Sequence, residues 1–214
     1  MIPKDGKPYV WVSWLSKLLA QDDQCHYAAM IKSRYRYEKR PDPTFDVAAW
    51  SEQHTQLLAA RANALMHDGW TISLENENAF RLIGTTAILG GKPDAIARKD
   101  DRVRIVDAKT GAQRRAHFWQ VLLYLYAVPR KWPEYAHALI DGEVCYGTPD
   151  ALVPVAVPAY ELTSERVKQF GALIQLVATH EFAPTPSAVE CRYCDIAACA
   201  ARIVEPAPAL ATDF

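Results

Sequence analysis

One segment constrains the fold of this chain more than any other: GGKPDAIARKDDRVRIVDAKTG, residues 90–111. It holds two runs typical of β-strands, Lys92–Arg98 and Val103–Lys109, separated by a short polar turn. Strands joined by so short a turn are expected to pair. Side chains alternate between the two faces of a strand, so Asp107 and Lys109 share one face. The segment therefore predicts a paired β-structure that brings a carboxylate and an ammonium group together.

The same segment predicts a metal site. If its strands pair, Asp94 and Asp107 converge across one short turn. Two carboxylates and a carbonyl oxygen form a hard oxygen site that suits Mg²⁺ or Mn²⁺. A metal ion there can polarise a phosphodiester oxygen and lower the pKa of a bound water, while Lys109 orients that water or stabilises developing charge. The alternative is a surface hairpin with solvated charges, and spacing alone does not decide between them.

Hydrophobic periodicity divides the chain into three parts of one domain, residues 1–214. Residues 1–68 are expected to be helical, 69–160 to form a core of sheet and helix, and 161–214 to hold a C-terminal helix and a cysteine cluster. The expected helices are Val12–Ala20, one starting at Asp22 or Asp23, Val47–Met66, Ala116–Val128, and one from a Thr163 or Ser164 cap to about His180. The other expected strands are Trp70–Leu74, Ala79–Leu89, His137–Tyr146 and Ala151–Val157. This order predicts an α/β fold with a mixed central sheet flanked by helices.

Charge and hydropathy limit the partners of the chain. Lys and Arg number 24 and Asp and Glu number 25, which gives a formal net charge of −1. A positive field over the whole protein is therefore absent, and contact with nucleic acid requires a local basic patch. No run approaches the roughly 18 apolar residues of a membrane span, and the N-terminus lacks the pattern of a signal peptide. We expect a soluble, cytoplasmic protein that makes no membrane contact.

Three motifs follow one another in a set order. They are Gly91-Lys92-Pro93-Asp94, Val106-Asp107-Ala108-Lys109-Thr110-Gly111 and Gln120-x-x-x-Tyr124. Together they resemble the RecB-like branch of the PD-(D/E)xK nuclease superfamily. That branch includes AddB/RecB-type nuclease domains of recombination helicase–nucleases and the CRISPR-associated adaptation exonucleases. The resemblance spans about Cys25 to Cys199 and implies a restriction-endonuclease-like core.

The resemblance also implies roles for particular residues. Asp94 and Asp107 would bind Mg²⁺ or Mn²⁺, together with the carbonyl oxygen of Ala108, and Lys109 would be catalytic. It further implies that Gln120 and Tyr124 form the Q-x-x-x-Y motif of the helix after the catalytic strand. At positions i and i+4 these two share one helix face, which suits a pair directed at the active site or the DNA.

His54 is a further candidate metal ligand. The family places a histidine on a helix upstream of the strands, as an additional ligand or as a support for one. His54 lies on the apolar stripe of the predicted helix Val47–Met66, where an inward-facing ligand is expected. The alternative is an ordinary core histidine.

The five cysteines are clustered rather than spread as in a disulfide framework. Cys191-x2-Cys194-x4-Cys199 supplies three thiols, and either Cys25 or Cys145 could supply a fourth. Cys145 lies in an apolar strand pattern typical of a buried residue. The pattern of one upstream and three C-terminal cysteines resembles the iron–sulfur subset of the same branch. It implies a 4Fe–4S cluster on Cys25 and the C-terminal three that clips the N-terminal helices to the C-terminal tail, with Zn²⁺ as the alternative.

Basic and aromatic residues are interleaved after the second predicted helix, a combination typical of single-strand binding. A second basic group follows the catalytic strand. The candidate DNA-binding residues of the two groups are Lys32, Arg34, Tyr35, Arg36, Arg114 and Arg115, with His117 beside the last two. A solvated charged face is the alternative for each group.

These features predict a metal-dependent DNA nuclease, specifically a single-strand-preferring exonuclease of CRISPR adaptation or of DNA recombination and repair. DNA with single strands or ends is the expected substrate, and a CRISPR integrase or helicase subunits are candidate partners. Asp107, where adaptation exonucleases often carry Glu, favours the recombination type. The alternatives are a catalytically silent iron–sulfur DNA-binding module and a nuclease subunit active only with a partner.

Overall fold

Six helices and ten strands make up the part of the chain that the computed structural model describes, residues 1–41 and 45–204. The helices are α1 (Val12–Ala20), α2 (His26–Arg34), α3 (Val47–His67), α4 (Arg115–Lys131), α5 (Ser164–Thr179) and α6 (Ala188–Tyr193). The strands are β1 (Ile2–Pro3), β2 (Tyr9–Trp11), β3 (Tyr35–Arg36), β4 (Thr71–Leu74), β5 (Phe80–Ile83), β6 (Ile88–Gly91), β7 (Ala95–Lys99), β8 (Arg102–Lys109), β9 (Leu139–Thr148) and β10 (Ala151–Val157). Residues 205–214 of the predicted C-terminal part lie outside this description.

The central sheet has the strand order β10-β9-β8-β7-β4. β8 and β9 run parallel, and the other neighbours are antiparallel, which confirms the predicted mixed sheet. β7 and β8 pair with Ala95 opposite Val106. Continuing that register by one residue sets Asp94 opposite Asp107, as the short turn between the two strands predicts.

Helices cover both faces of this sheet. Leu122 of α4 and Ile105 of β8 belong to the apolar core on one face. Leu57 of α3 and Val106 belong to the core on the other. Because alternate residues of β8 enter different cores, Asp107 and Lys109 lie on the α4 side. The close approach of α4 depends on Gly142 of β9, where a Cβ atom would lie 2.2 Å from Val121 Cγ1.

The strands before the central sheet differ from the prediction. Ala79–Leu89, expected as one strand, forms β5 and β6 around a turn in which the Gly84 N–H donates to the Ala87 carbonyl. β6 also pairs in parallel with β2, and β1 pairs with β3. Strands of two or three residues are too short to show a period of two. The N-terminal part expected to be helical therefore contains short strands that the sequence does not reveal.

Capping side chains mark the starts of α3 and α5. Asp46 accepts a hydrogen bond from Ala49 N at the start of α3, and Thr163 accepts one from Arg166 N at the start of α5. The second helix, however, begins at His26 and not at the expected Asp22 or Asp23. The N–H groups of both aspartates donate to the Lys17 carbonyl and so close the end of α1.

No helix among the described residues is long and apolar enough to cross a membrane.

Candidate active site

Asp94 and Asp107 meet at the end of the β7–β8 pair. Both are buried, with exposed fractions of 9% and 1%. Asp94 Oδ2 accepts a hydrogen bond of 2.7 Å from Ala108 N, which ties the loop before β7 to β8. The two aspartates, Ala108 and Lys109 line one cavity of about 1140 Å³. The candidate metal-binding carboxylates thus share a pocket large enough for part of a nucleic acid strand.

Lys109 forms an ion pair with Asp107, with its Nζ 2.7 Å from Asp107 Oδ2. Burial raises the pKa of Asp107 to about 6, and the attraction of Lys109 opposes that rise. Burial acts to lower the pKa of Lys109, but Asp107 and Asp94 outweigh it, and the net change is upward. Lys109 therefore remains an ammonium ion in this pocket at neutral pH.

One oxygen of the site fits a metal ion. Asp107 Oδ2 is buried, lies 2.7 Å from the Lys109 ammonium group and receives no other hydrogen bond from a described residue. A carboxylate oxygen has two lone pairs, so one of them remains for a divalent cation. Across residues 1–41 and 45–204, no group of three or more His, Cys, Asp or Glu side chains is already arranged to hold a metal ion. The two carboxylates would therefore need a backbone carbonyl and water to complete a coordination shell.

Gln120 and Tyr124 face this site from α4. Gln120 Nε2 lies 2.9 Å from Asp107 Oδ1 and 3.1 Å from the Tyr124 hydroxyl. Tyr124 in turn donates to the Lys92 carbonyl at 3.1 Å. Burial holds the pKa of Tyr124 well above its ordinary value, so the phenol keeps its proton. The pair therefore fixes Oδ1 of Asp107, while Oδ2 is paired with Lys109.

His54 reaches the site from α3 on the other side. Its Nε2 lies 3.2 Å from Asp94 Oδ2, and this hydrogen bond raises the pKa of His54 against the opposing effect of burial. The Trp50 ring stacks on His54, with centroids 5.4 Å apart and an angle of 27° between the planes. The structure thus brings His54 to Asp94, as the stripe on α3 predicts for an inward-facing residue.

The loop before Asp94 is held by a residue that the sequence analysis missed. Asn78 is 1% exposed, and its Nδ2 donates to the carbonyls of Ser73 and Pro93. Glu75 N donates to the Asp94 carbonyl at 2.9 Å, and Glu75 adopts a left-handed φ of 38°. These contacts fix the backbone on either side of the Pro93–Asp94 bond. Their only sequence signal is a polar run, ENEN, which resembles any turn.

A buried ion pair supports α3 behind the site. Arg61 donates to both carboxylate oxygens of Glu143, at 2.6 and 2.7 Å, and Glu143 is 4% exposed. Arg104 lies further from the same carboxylate, at 3.8 Å. The pair joins the helix of His54 to β9. The sequence places Arg61 on the inner stripe of α3 but does not name its partner, because the two residues are far apart in the chain.

The site residues described above lie within the part of the chain that matches a known family. A family model of the PD-(D/E)XK nuclease superfamily matches residues 15–199. The chain belongs to the PD-(D/E)XK nuclease superfamily. Members of this superfamily are metal-dependent nucleases that typically use Mg²⁺ or Mn²⁺, so the general activity is phosphodiester hydrolysis of nucleic acid.

One solved structure supports the fold of this superfamily member. The crystal structure of SSO0001 matches 94% of this chain and 90% of its own chain, with a TM-score of 0.53 and 15% sequence identity. At this identity the likeness concerns the fold alone. The search of curated proteins found no match.

Four cysteines of this PD-(D/E)XK protein line the same cavity as the carboxylates: Cys25, Cys191, Cys194 and Cys199. Tyr27, Cys194 and Cys199 pack against the same small apolar cluster, which contains Met30 and Ile196. In the described chain, which includes all five cysteines, none forms a disulfide. The described residues contain no group of three or more of these thiols arranged to hold a metal ion, so the expected cluster site is not formed in this structure.

The segments that carry these cysteines are joined by protein contacts as well. The Glu190 carboxylate accepts hydrogen bonds from Gln24 N at 2.7 Å and Cys25 N at 3.1 Å. Arg202 donates to the carbonyls of Cys191 and Cys194. The C-terminal tail therefore lies against the start of α2 through contacts of its own.

Cys145 is separate from this group. It is 0% exposed on β9, and burial raises its pKa to about 11. The thiol is therefore protonated and unreactive at neutral pH, which confirms the prediction of a buried core residue.

The predicted basic surface is smaller than expected. Arg34 is committed to the protein itself, with hydrogen bonds to the carbonyls of Val177 and His180 and an ion pair to Glu181. These carbonyls end α5 and lack partners within the helix, so a nearby guanidinium group binds them. Lys32 pairs with Asp195 at 2.8 Å, yet it still lines the cavity.

The remaining candidates differ in their surroundings. Arg36 is exposed, and Tyr35 is partly buried beside the apolar cluster around Met30 and Ile196. Arg114 and Arg115 are exposed, and Arg114 lines the cavity. Burial and the charge of Lys109 lower the pKa of His117 to about 4, so this imidazole is neutral and adds no positive charge.

Proposed function

We propose that this protein is a DNA exonuclease of the RecB-like branch that prefers single strands. The observation that carries the proposal is the convergence of Asp94, Asp107 and Lys109 on one cavity. Membership of the nuclease superfamily supports hydrolysis, and the Gln120–Tyr124 motif supports the branch.

In this proposal Asp94, Asp107 and the Ala108 carbonyl hold Mg²⁺ or Mn²⁺. The bound ion supplies Lewis acidity toward a phosphodiester oxygen and toward the attacking water. His54 orients Asp94 through its hydrogen bond or joins the ligand set. Lys109, close to Asp107, stabilises the negative charge that develops on the phosphate oxygens.

Gln120 and Tyr124 act on the position of Asp107. The Gln120 amide donates a hydrogen bond to one oxygen of the Asp107 carboxylate, and a second hydrogen bond to the Tyr124 hydroxyl fixes the Gln120 side chain. A carboxylate held at one oxygen presents the other in a constant direction, which lowers the reorganisation needed when a metal ion binds.

The cavity and the basic and aromatic side chains that line it support a preference for single strands and ends. Lys32 and Arg114 supply positive charge suited to a sugar-phosphate backbone, and exposed aromatic rings lie at the same cavity. The RecB-like motifs favour CRISPR adaptation or recombination and repair as the setting. A CRISPR integrase or helicase subunits would then be the partners.

The four cysteines are proposed to bind a 4Fe–4S cluster, with Zn²⁺ as the alternative. The cluster would clip the N-terminal helices to the C-terminal tail of one domain spanning residues 1–214. Closing a loop between Cys25 and Cys191 restricts the unfolded chain, so the cluster stabilises the fold.

The proposed function is tested with end-labelled linear and closed circular single-stranded DNA, incubated with protein purified without oxygen and with Mn²⁺ or Mg²⁺. Cleavage of the linear strand alone is expected, since an exonuclease requires an end. Cutting of the circle at the same rate would contradict the exonuclease assignment. Binding without cleavage by protein with a full metal complement would favour a silent DNA-binding module or a subunit that needs a partner.

Replacing Cys191 with Ser is expected to remove the bound iron and to lower the midpoint of thermal unfolding. The measurement is the visible absorbance and metal content of anaerobically purified protein, followed by its thermal unfolding. Cys145→Ser is the matched control and should keep both iron and colour. A colourless wild type that carries zinc would contradict the iron–sulfur cluster but keep the clip, and a wild type without either metal would contradict both.

A further inference from the structure

An exposed aromatic pair lies at the active-site cavity. Phe45 and Trp50 are 51% and 44% exposed, and their ring centroids are 6.1 Å apart. Both line the cavity that holds Asp94 and Lys109. Burying an aromatic ring normally stabilises a protein, so exposed aromatic rings are unfavourable in the free protein. A pair of exposed rings in a cleft therefore indicates a ligand-binding surface.

The position of Trp50 relative to the candidate metal site is fixed by stacking. Its indole lies against His54 at a centroid distance of 5.4 Å, and His54 hydrogen-bonds to Asp94. The His54 imidazole therefore lies between the Trp50 indole and Asp94, a candidate metal ligand. A group stacked on Trp50 would lie beside the reacting phosphate rather than at a remote part of the protein.

The aromatic residues of the basic segment that follows α2 make other contacts. The Tyr37 hydroxyl donates to Asp195, and Tyr35 and Tyr37 pack on the cluster of Met30 and Ile196. Phe45 and Trp50, in contrast, have exposed surface in the cavity that the cationic residues Lys109 and Arg114 also line. Aromatic rings next to such charges combine base stacking with phosphate attraction.

We propose that Trp50, with Phe45, is the stacking platform for the nucleobase next to the scissile phosphate. The inference rests on the proposed nuclease function and assigns its substrate class. A base can reach the platform only if it is unstacked and unpaired, so the platform selects single strands and frayed ends. Because every base has a π-face, the selection is independent of sequence. Trp50 acts as a substrate-positioning residue and not as a catalytic one.

The test measures binding of labelled oligothymidylate by fluorescence anisotropy, in a Lys109→Met background so that no cleavage occurs. Trp50→Ala is expected to weaken binding by roughly 5- to 100-fold, the range for loss of one stacked base. Trp50→Phe should recover most of the affinity, since a phenyl ring still stacks. Trp11→Phe is the control, because Trp11 is also exposed but lies on β2 outside the lining of the cavity.

A series of oligonucleotides with one abasic site, moved along the strand, separates stacking from a structural role. At one position the missing base should weaken binding to the Trp50-containing protein but not to Trp50→Ala. Equal penalties in both proteins at every position would overturn the proposal, as would unchanged affinity of Trp50→Ala. If either result is obtained but the wild type still binds and cleaves DNA, the stacking proposal fails and the proposed nuclease function is kept. Absence of any DNA binding would overturn both.

Discussion

Replacing Lys109 with Met is expected to slow DNA cleavage by at least about 10²- to 10³-fold, the loss typical of one electrostatic stabiliser of a transition state. The Lys109 ammonium group lies beside the proposed phosphate position, and Met keeps the length of the side chain without its charge. The fold should persist at lower stability, because Asp107 loses its ion pair but keeps the hydrogen bond from Gln120. Metal binding should also persist, because the carboxylates are unchanged.

The measurement is single-turnover cleavage of end-labelled linear single-stranded DNA, alongside Mn²⁺ binding and thermal unfolding of the same preparations. Lys168→Ala, an exposed lysine on α5, is the matched control and should cleave at the wild-type rate. Wild-type cleavage by Lys109→Met would remove this residue from the mechanism. Lost cleavage together with a collapsed unfolding transition would leave Lys109 with a structural role only.

Replacing Arg61 with Ala is expected to lower the free energy of unfolding by about 3–5 kcal/mol, the usual cost of removing one partner of a buried ion pair. Glu143 would remain buried, with Arg104 too distant to replace both hydrogen bonds. The loss should exceed that of most single substitutions, which destabilise by about 0.5–3 kcal/mol.

Urea unfolding at neutral pH measures this effect. The double variant Arg61→Met, Glu143→Leu should recover much of the lost stability, since no unpaired charge is then buried. Arg36→Ala is the control, because the Arg36–Asp5 pair is exposed to solvent and should change stability by less than about 1 kcal/mol. Equal losses for Arg61→Ala and Arg36→Ala would contradict the account of the buried pair.

The local sequence pattern was sufficient to predict the helices and strands that form the site. The alternation of apolar and polar residues predicts the β7–β8 pair, and the pairing places Asp94 and Asp107 together. The spacing of Gln120 and Tyr124 predicts their common helix face, and the stripe on α3 predicts that His54 faces inward. Each of these inferences depends on periods of two or of 3.6 residues, which are readable from the sequence.

Contacts between distant segments were not predictable in the same way. Three contacts are of this kind: Arg34 binds the end of α5, Asn78 donates to the Pro93 carbonyl, and Arg61 pairs with Glu143. No local period relates the residues that these contacts join. For the same reason Phe45 and Trp50 were not singled out from the sequence as rings that line the cavity. Only the packed structure shows which rings remain exposed at the cavity.

The most direct test of the central claim is the rate at which EDTA-treated protein cleaves linear single-stranded DNA as Mn²⁺ is added, for the wild type and for Asp107→Asn. We predict no cleavage before the metal is added, a rate that saturates with Mn²⁺ in the wild type, and no cleavage by Asp107→Asn at any concentration. A wild-type rate that is the same in EDTA, or an Asp107→Asn variant that cleaves at the wild-type rate, would contradict a metal-dependent nuclease centred on Asp94 and Asp107.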